Sequence, residues 1–477
     1  MVMLAAMNAL AGVPTFQDLM DPAVFPDAQF GMQVDSASAN ADSAKIVTTG
    51  AIIELDAARG VITFQQRIGH ERPVATLHLP GPLRGITLTH KGPGFARLTI
   101  EQPKATVRIN GDSLLFLQMH EPLTTRVERQ ITPAWHASWM ANHLIVDELG
   151  GFSLYCSEPE TNDQFSPAGR TVATYALPSN AVLCVGVCPP KPYAWDRSFK
   201  DQVVWHWSST LAYPPDKDLR EWKAHGNLVL LQSETMLWKD WNLDFVPRLG
   251  TNEYLRVKNT LHDMGMRFIV YTSPYYFLKG TSQESRAIND KAGQDPGAIT
   301  DGENMPLFLD AIRRVMRDLK PDGLFFDGQY HMNPAALYAL ARHGRAIIGD
   351  KGILEWHSTF ELGPMGSLMY MPHADAYTDM VGRGEGKDRL YSNFNYMRYF
   401  VSGYNIHNSI GVLYNNGGNA LTLPQLELLL QTNGRLHTLL CDLDFTASKY
   451  RPRLNPELRT MVERGCEERQ QKAKGVK

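Results

Sequence analysis

Cysteine is scarce, with five in 477 residues at positions 156, 184, 188, 441 and 466. None forms the CxxC pair that holds zinc, and five are too few for a disulfide framework. The closest two, Cys184 and Cys188, lie in the strand-like AVLCVGVCPP, where a spacing of four puts both on one face. Reduced thiols inside a core are the expectation. Apolar runs approaching the roughly 18 residues that span a bilayer are also missing, which speaks against a membrane partner. Long basic blocks are absent and charge is balanced, 47 basic against 50 acidic residues giving −3, so a nucleic-acid backbone is not an expected partner. No glycine-rich dinucleotide loop or P-loop follows a strand-like segment and no HExxH occurs, so no cofactor is expected. The opening MVMLAAMNALAG is apolar without a basic leader. It reads as a plain start more readily than as a degenerate export signal, which leaves a cytoplasmic or a periplasmic/secreted location open.

Hydrophobic residues make up 43% of the chain and charged residues 20%, the balance of a folded globular protein. The length exceeds what one core usually organises, so two domains are expected. From about Ala44 to Pro190 short alternating segments are separated by turn residues, among them IVTTGAIIELDAARGVITFQQR, FARLTIEQ and HLIVDELGGFSLYC. That spacing predicts an antiparallel β-sandwich. After Pro190 strands and helices alternate. VVWHWSS, NLVLLQSE, RFIVYTSP, DGLFFDG, GILEWHS and ADAYTDM read as strand ends, with two more near YNIHNSIGVLY and RLHTLLC. TNEYLRVKNTLHDMG and MPLFLDAIRRVMRDLK read as helices stopped by Gly265 and Pro321. The fold class is therefore α/β, a (β/α)8 TIM barrel preceded by an N-terminal β-sandwich domain, with a doubly wound open sheet as the alternative. The expected division is a lead segment over 1–42, the sandwich over 43–197, the barrel over 198–445 and a C-terminal helix or tail over 446–477.

The stretch KPDGLFFDGQYH drives an apolar run, Gly323 to Phe326, into a carboxylate, Asp327, followed by Gly328. In a parallel barrel the strand is buried along its length and its carboxyl end opens onto the ligand-binding face, so Asp327 would emerge at the mouth. A buried carboxylate is otherwise costly and must be paired or functional. Other proposed strands end in polar or aromatic residues: Trp205, His206 and Trp207, Gln232 and Glu234, Tyr271 to Tyr276, Glu355 and His357, Asp375 and Asp379. Such a rim suits a sugar, whose ring faces stack on aromatics while its hydroxyls meet carboxylates, histidines and amides. The candidate binding residues are His206, Trp207, Glu234, Tyr271, Tyr330, His357 and Asp375.

Glycoside hydrolysis needs two carboxyl groups flanking the scissile bond. Asp327 is one. Glu385, in VGRGEGKD with a glycine on each side, and Asp379 lead for the second, ahead of Glu234 and Glu361. A metal-dependent barrel hydrolase built on His206, His357, His373 or His407, a polysaccharide lyase, and a non-catalytic carbohydrate-binding protein stay open beside this reading. So does a homo-oligomer.

LHDMGMRFIVYTSPYYF and LKPDGLFFDGQY together resemble the third- and fourth-strand region of α-L-fucosidases and, more loosely, of the α-galactosidase-like retaining glycosidases. In those families a helix ending His-x-x-Gly leads into a strand ending Tyr-x-Ser-Pro, and a Lys-Pro-Asp-x-x-x-Phe-Asp-Gly strand follows. The matching positions are His262, Gly265, Tyr271, Ser273, Pro274, Lys320, Pro321, Asp322, Phe326, Asp327 and Gly328. The resemblance implies that Asp327 is the nucleophile. Fucosidases place their β domain after the barrel, whereas here the β-rich region comes first, the order of the α-galactosidase-like and α-glucosidase-like clans.

Overall fold

The computed structural model describes residues 13–21, 25–139, 141–158, 161–206, 211–231, 237–287, 304–327, 334–357, 371–414 and 421–439, together with 464, 465, 467–469 and 471–475. Among them no helix is long and apolar enough to cross a membrane.

The N-terminal part forms two antiparallel sheets, one of seven strands from Val34–Ala39 to Thr171–Leu177, the other of eight. The first sheet thus begins earlier than the boundary expected at residue 43. Burial patterns explain how the sheets stack. Ala51–Asp56 alternates buried with half-buried positions, as a strand with one wet face must. Val182–Cys188 is buried at every position. Its neighbour Leu114–Met119 shows why: Leu115 and Leu117 join the core shared with the first sheet, while Leu114 and Phe116 join the core of the C-terminal half. With a side-chain period of two, the second sheet is covered on both faces. Cys156, Cys184 and Cys188 are free and buried there.

The C-terminal half is built on a parallel sheet of nine hydrogen-bonded segments. In chain order these are β1 (Val203–His206), β2 (Leu228–Leu231), β3 (Arg267–Thr272), β4 (Gly323–Phe326), β5 (Ile353–His357), β6 (Met380–Arg383) and β7 (Ile410–Leu413), followed by Arg435–Leu436 and Thr438–Leu439. The last two are one strand, β8, interrupted only at His437. Its first half pairs with β7 and its second half with β1, bringing eight strands round to a nearly closed barrel. Helices α1 (Thr251–Asp263) and α2 (Met305–Arg314) lie in the intervals between strands where the periodicity predicts them, and α3 (Pro334–Ile348), not singled out from sequence, fills the interval between β4 and β5. ADAYTDM, expected as a strand, is instead a helical turn, α4 (Pro372–Asp375), and a bend, with β6 starting one element later.

A buried polar cluster ties the halves together. Asp112 of the second sheet accepts hydrogen bonds from the hydroxyls of Tyr338 on α3 (2.5 Å) and Tyr377 (2.9 Å), and Arg342 donates to the Tyr338 oxygen at 3.0 Å. These hydrogen bonds and the nearby Arg342 charge make burial of the Asp112 carboxylate tolerable.

Candidate active site

Along a barrel strand alternate residues face the interior, so the parity of its last residues decides what reaches the mouth. Asp327 follows β4, and its backbone N–H still donates to Thr272 of β3 at 2.9 Å. Its side chain takes two hydrogen bonds: the Tyr271 hydroxyl donates to Oδ2 at 2.8 Å, and His357 Nδ1 lies 3.0 Å from Oδ1. An ionised carboxylate only accepts, so Nδ1 carries the hydrogen. Tyr271 is buried, and the Trp238 indole N–H donates to its carbonyl at 2.7 Å.

His357 ends β5. Its other ring nitrogen, Nε2, faces Glu385 Oε2 at 3.4 Å. Glu385 reaches it from the turn after β6, where Gly384 (φ +90) and Gly386 (φ +66) adopt the left-handed conformation that a side chain resists. Gly382 makes room below: a Cβ there would stand 3.2 Å from Tyr414 and 3.6 Å from His357. Tyr414, directly after β7, stacks on the imidazole at 4.1 Å between ring centres, and Trp205 of β1 stands 4.3 Å from Tyr414. Two residues down β5, on the same face as His357, Glu355 lies 2.5 Å from His437 Nε2, and both side chains are buried.

Burial disfavours a charged imidazole, but the hydrogen bond and charge of Asp327, joined by Glu385 and Glu355, outweigh it, so the His357 pKa is raised above its ordinary value. A protonated ring carries a hydrogen on each nitrogen, so Nε2–H would face Glu385 as Nδ1–H faces Asp327.

Of the residues expected from sequence, Asp327, Tyr271, His357 and Glu385 come together. Trp207, Glu234 and Tyr330 lie outside the described residues, as do Gln232, Glu361 and Gly328. Three others sit apart from this group. His206 has the wrong parity: it packs against Trp222 outside the barrel, 4.5 Å between ring centres, while Trp205 points inward. Asp375 sits on α4, where it accepts from the Trp356 indole at 2.8 Å and pairs with Arg383. Trp356 neighbours His357 on β5 and so faces the opposite way. Asp379 stands before β6, not after it. Its backbone N–H donates to Leu354 at 2.7 Å, and its carboxylate is held by Arg345 (2.7 Å), Arg197 and the Leu354 N–H (2.8 Å). That is the opposite end of the strands from Asp327. Burial pushes the Asp379 carboxyl up, yet Arg345 and Arg197 hold it below its ordinary value. Sequence reasoning did not single out Tyr414 or His437. Their only signal was position, at the end of IGVLY and within RLHTLLC. Among the described residues no group of three or more His, Cys, Asp or Glu is placed to hold a metal.

Asp375 carries a prediction of its own. Burial pushes its carboxyl up to about 6 against the pull of Arg383 and Trp356. Between about pH 4 and 6 the folded chain keeps this proton while the unfolded chain has lost it, so the residue's stabilisation, complete below that window, declines by about 2–3 kcal/mol as pH rises through it. Urea unfolding across the window should show a flatter profile for Asp375→Asn than for wild type.

No protein-family model matches the chain, and no curated protein matches it. Solved structures similar to it include a GH31 family sulfoquinovosidase from E. rectale, at 10% identity over 91% of this chain and 85% of that one, TM-score 0.40. A GH31 dextranase from Flavobacterium johnsoniae matches at 9% identity over 92% and 68%, TM-score 0.42. An α-N-acetylgalactosaminidase from Bifidobacterium bifidum matches at 9% over 88% and 93%, TM-score 0.41.

Proposed function

We propose that the chain is a glycoside hydrolase that cleaves an α-linked glycoside, oligosaccharide or polysaccharide with two carboxylates at the barrel mouth. One observation carries this reading: Asp327 and Glu385, delivered by β4 and β6, converge on the two nitrogens of a single imidazole. Glycoside hydrolysis asks for such a pair, one carboxyl acting on the anomeric carbon or on a water and one protonating the departing oxygen. Asp327 takes the first role. It is buried and oriented by Tyr271 and His357, and it occupies the position the motif assigns to the nucleophile. Glu385 takes the second, its side chain 31% exposed at the open side of the site.

With this reading, the two antiparallel sheets form a β-sandwich domain ahead of a catalytic (β/α)8 barrel that starts near residue 198. The test is a panel of aryl α- and β-fucosides, galactosides and glucosides, with matching oligosaccharides. Release from one α-series is the expected result. Wild-type protein that cleaves none of them removes the proposal.

A further inference from the structure

Two carboxylates suffice for glycoside hydrolysis, and nothing in that chemistry asks for an imidazole between them. Yet His357 is buried with each ring nitrogen facing a different carboxylate, Asp327 at 3.0 Å and Glu385 at 3.4 Å. The groups around it come from several strands. Asp327 follows β4 and brings Tyr271 of β3 with it; Glu385 follows β6; Glu355 lies on β5 itself, with His437 of β8 against it; and Tyr414 after β7 stacks on the ring. Three carboxylates and one further imidazole thus surround the ring, which favours its protonated form. A general acid must have a proton to give as the bond breaks, and a carboxyl that burial does not keep protonated at neutral pH has to take that proton from a neighbouring donor in the course of the step. Glu385, open to solvent over part of its side chain, has a donor beside it.

We propose that His357 supplies the proton that Glu385 delivers to the departing glycosidic oxygen, an inference that rests on the glycoside hydrolase reading. The His357 Nε2–H bond breaks and the proton passes to Glu385 Oε2. Glu385 hands a proton to the glycosidic oxygen as the bond to the anomeric carbon breaks and its electron pair goes to that oxygen. His357 is left neutral, with Nδ1–H still donated to Asp327. The water that completes hydrolysis gives its hydroxyl to the anomeric carbon and its proton back to the ring. His357 acts through Glu385 and is therefore a positioning residue.

Leaving groups separate this role from a structural one. A dinitrophenolate departs without protonation and an alkoxide does not, so loss of the proton supply shows only on the poorer leaving group. His357→Gln, with an amide near the Nε2 position, and His357→Asn, with one near Nδ1, should each lower kcat on an alkyl glycoside by roughly 10²-fold more than on a dinitrophenyl glycoside, beyond whatever both substrates lose together because Asp327 is less well oriented. Either variant carries the test if the other does not fold. The basic limb of the wild-type kcat profile should lie above the ordinary imidazole pKa of about 6.5 and shift or vanish in both variants. Equal losses on both substrates, or a wild-type profile without that limb, overturn the proposal. Glu385→Gln run in parallel keeps the two readings apart. Leaving-group dependence in Glu385→Gln alone rejects the His357 role and keeps Glu385 as the acid, dependence in neither rejects both of those roles, and the hydrolase reading itself falls only if the wild type cleaves no glycoside.

Discussion

Asp327→Asn is expected to lower turnover of the best glycoside by roughly 10³-fold or more while the protein keeps its fold and its sugar binding. The amide has the shape of the carboxylate. Its oxygen accepts from His357 Nδ1, and its NH2 can donate to the Tyr271 oxygen, so both neighbours of the wild-type side chain keep a partner. What disappears is the negative charge that, on the proposed reading, attacks or takes a proton from water. The same change removes the nearest negative charge favouring protonated His357, so the imidazole titrates lower in the variant. Initial rates, a thermal melt and equilibrium sugar binding together decide the matter. A variant that turns over at the wild-type rate would show that the mouth of this barrel works through other residues.

Asp379→Ala should do the reverse: a large loss of stability with little effect on the chemistry of the molecules that remain folded. The change leaves Arg345, fully buried, without its counter-charge and the Leu354 N–H without its carboxylate acceptor at the base of β5. Removing one partner from a buried ion pair costs about 3–5 kcal/mol, because the other charge stays in the interior uncompensated. Arg345 keeps its bonds to the carbonyls of Tyr377, Gly349 and Gly352, which hold it in place but cannot neutralise it. The thermal midpoint should fall by several degrees, with kcat at low temperature close to wild type. Unchanged stability with lost turnover would return Asp379 to the catalytic pair.

These two aspartates show what the sequence could tell. The place of Asp327 directly behind β4 was legible because an apolar four-residue run ended by a carboxylate and a glycine reads as a buried strand and its exit. Glu385 was legible for a similar reason, since glycines on both sides mark a turn that a longer side chain would strain. Asp379 misled because polar residues gather at both ends of a buried strand, and ADAYTDM mixes apolar and polar positions without a clear period. Where β6 begins was decided by α4, a single turn of helix with no signal long enough to read. His206 misled by parity. Its neighbour Trp205 is the inward residue, and a four-residue strand gives too short an alternation to tell the two apart. The partnership of Glu355 with His437 was beyond reach, because it joins β5 to β8 across the interior, and only the closed ring brings those strands face to face.

That ring is completed late. Val204 and Trp205 on β1 pair with Thr438 and Leu439, so the first barrel strand to be synthesised waits for nearly the last. Until then β1 presents a row of unpaired backbone groups, a template for pairing with other chains. Contacts so far apart in sequence are slow to form, since the loop between them must be closed before the contact stabilises anything. The nascent protein is therefore most open to aggregation between emergence of β1 and arrival of β8, and conditions that slow synthesis should lengthen that exposure.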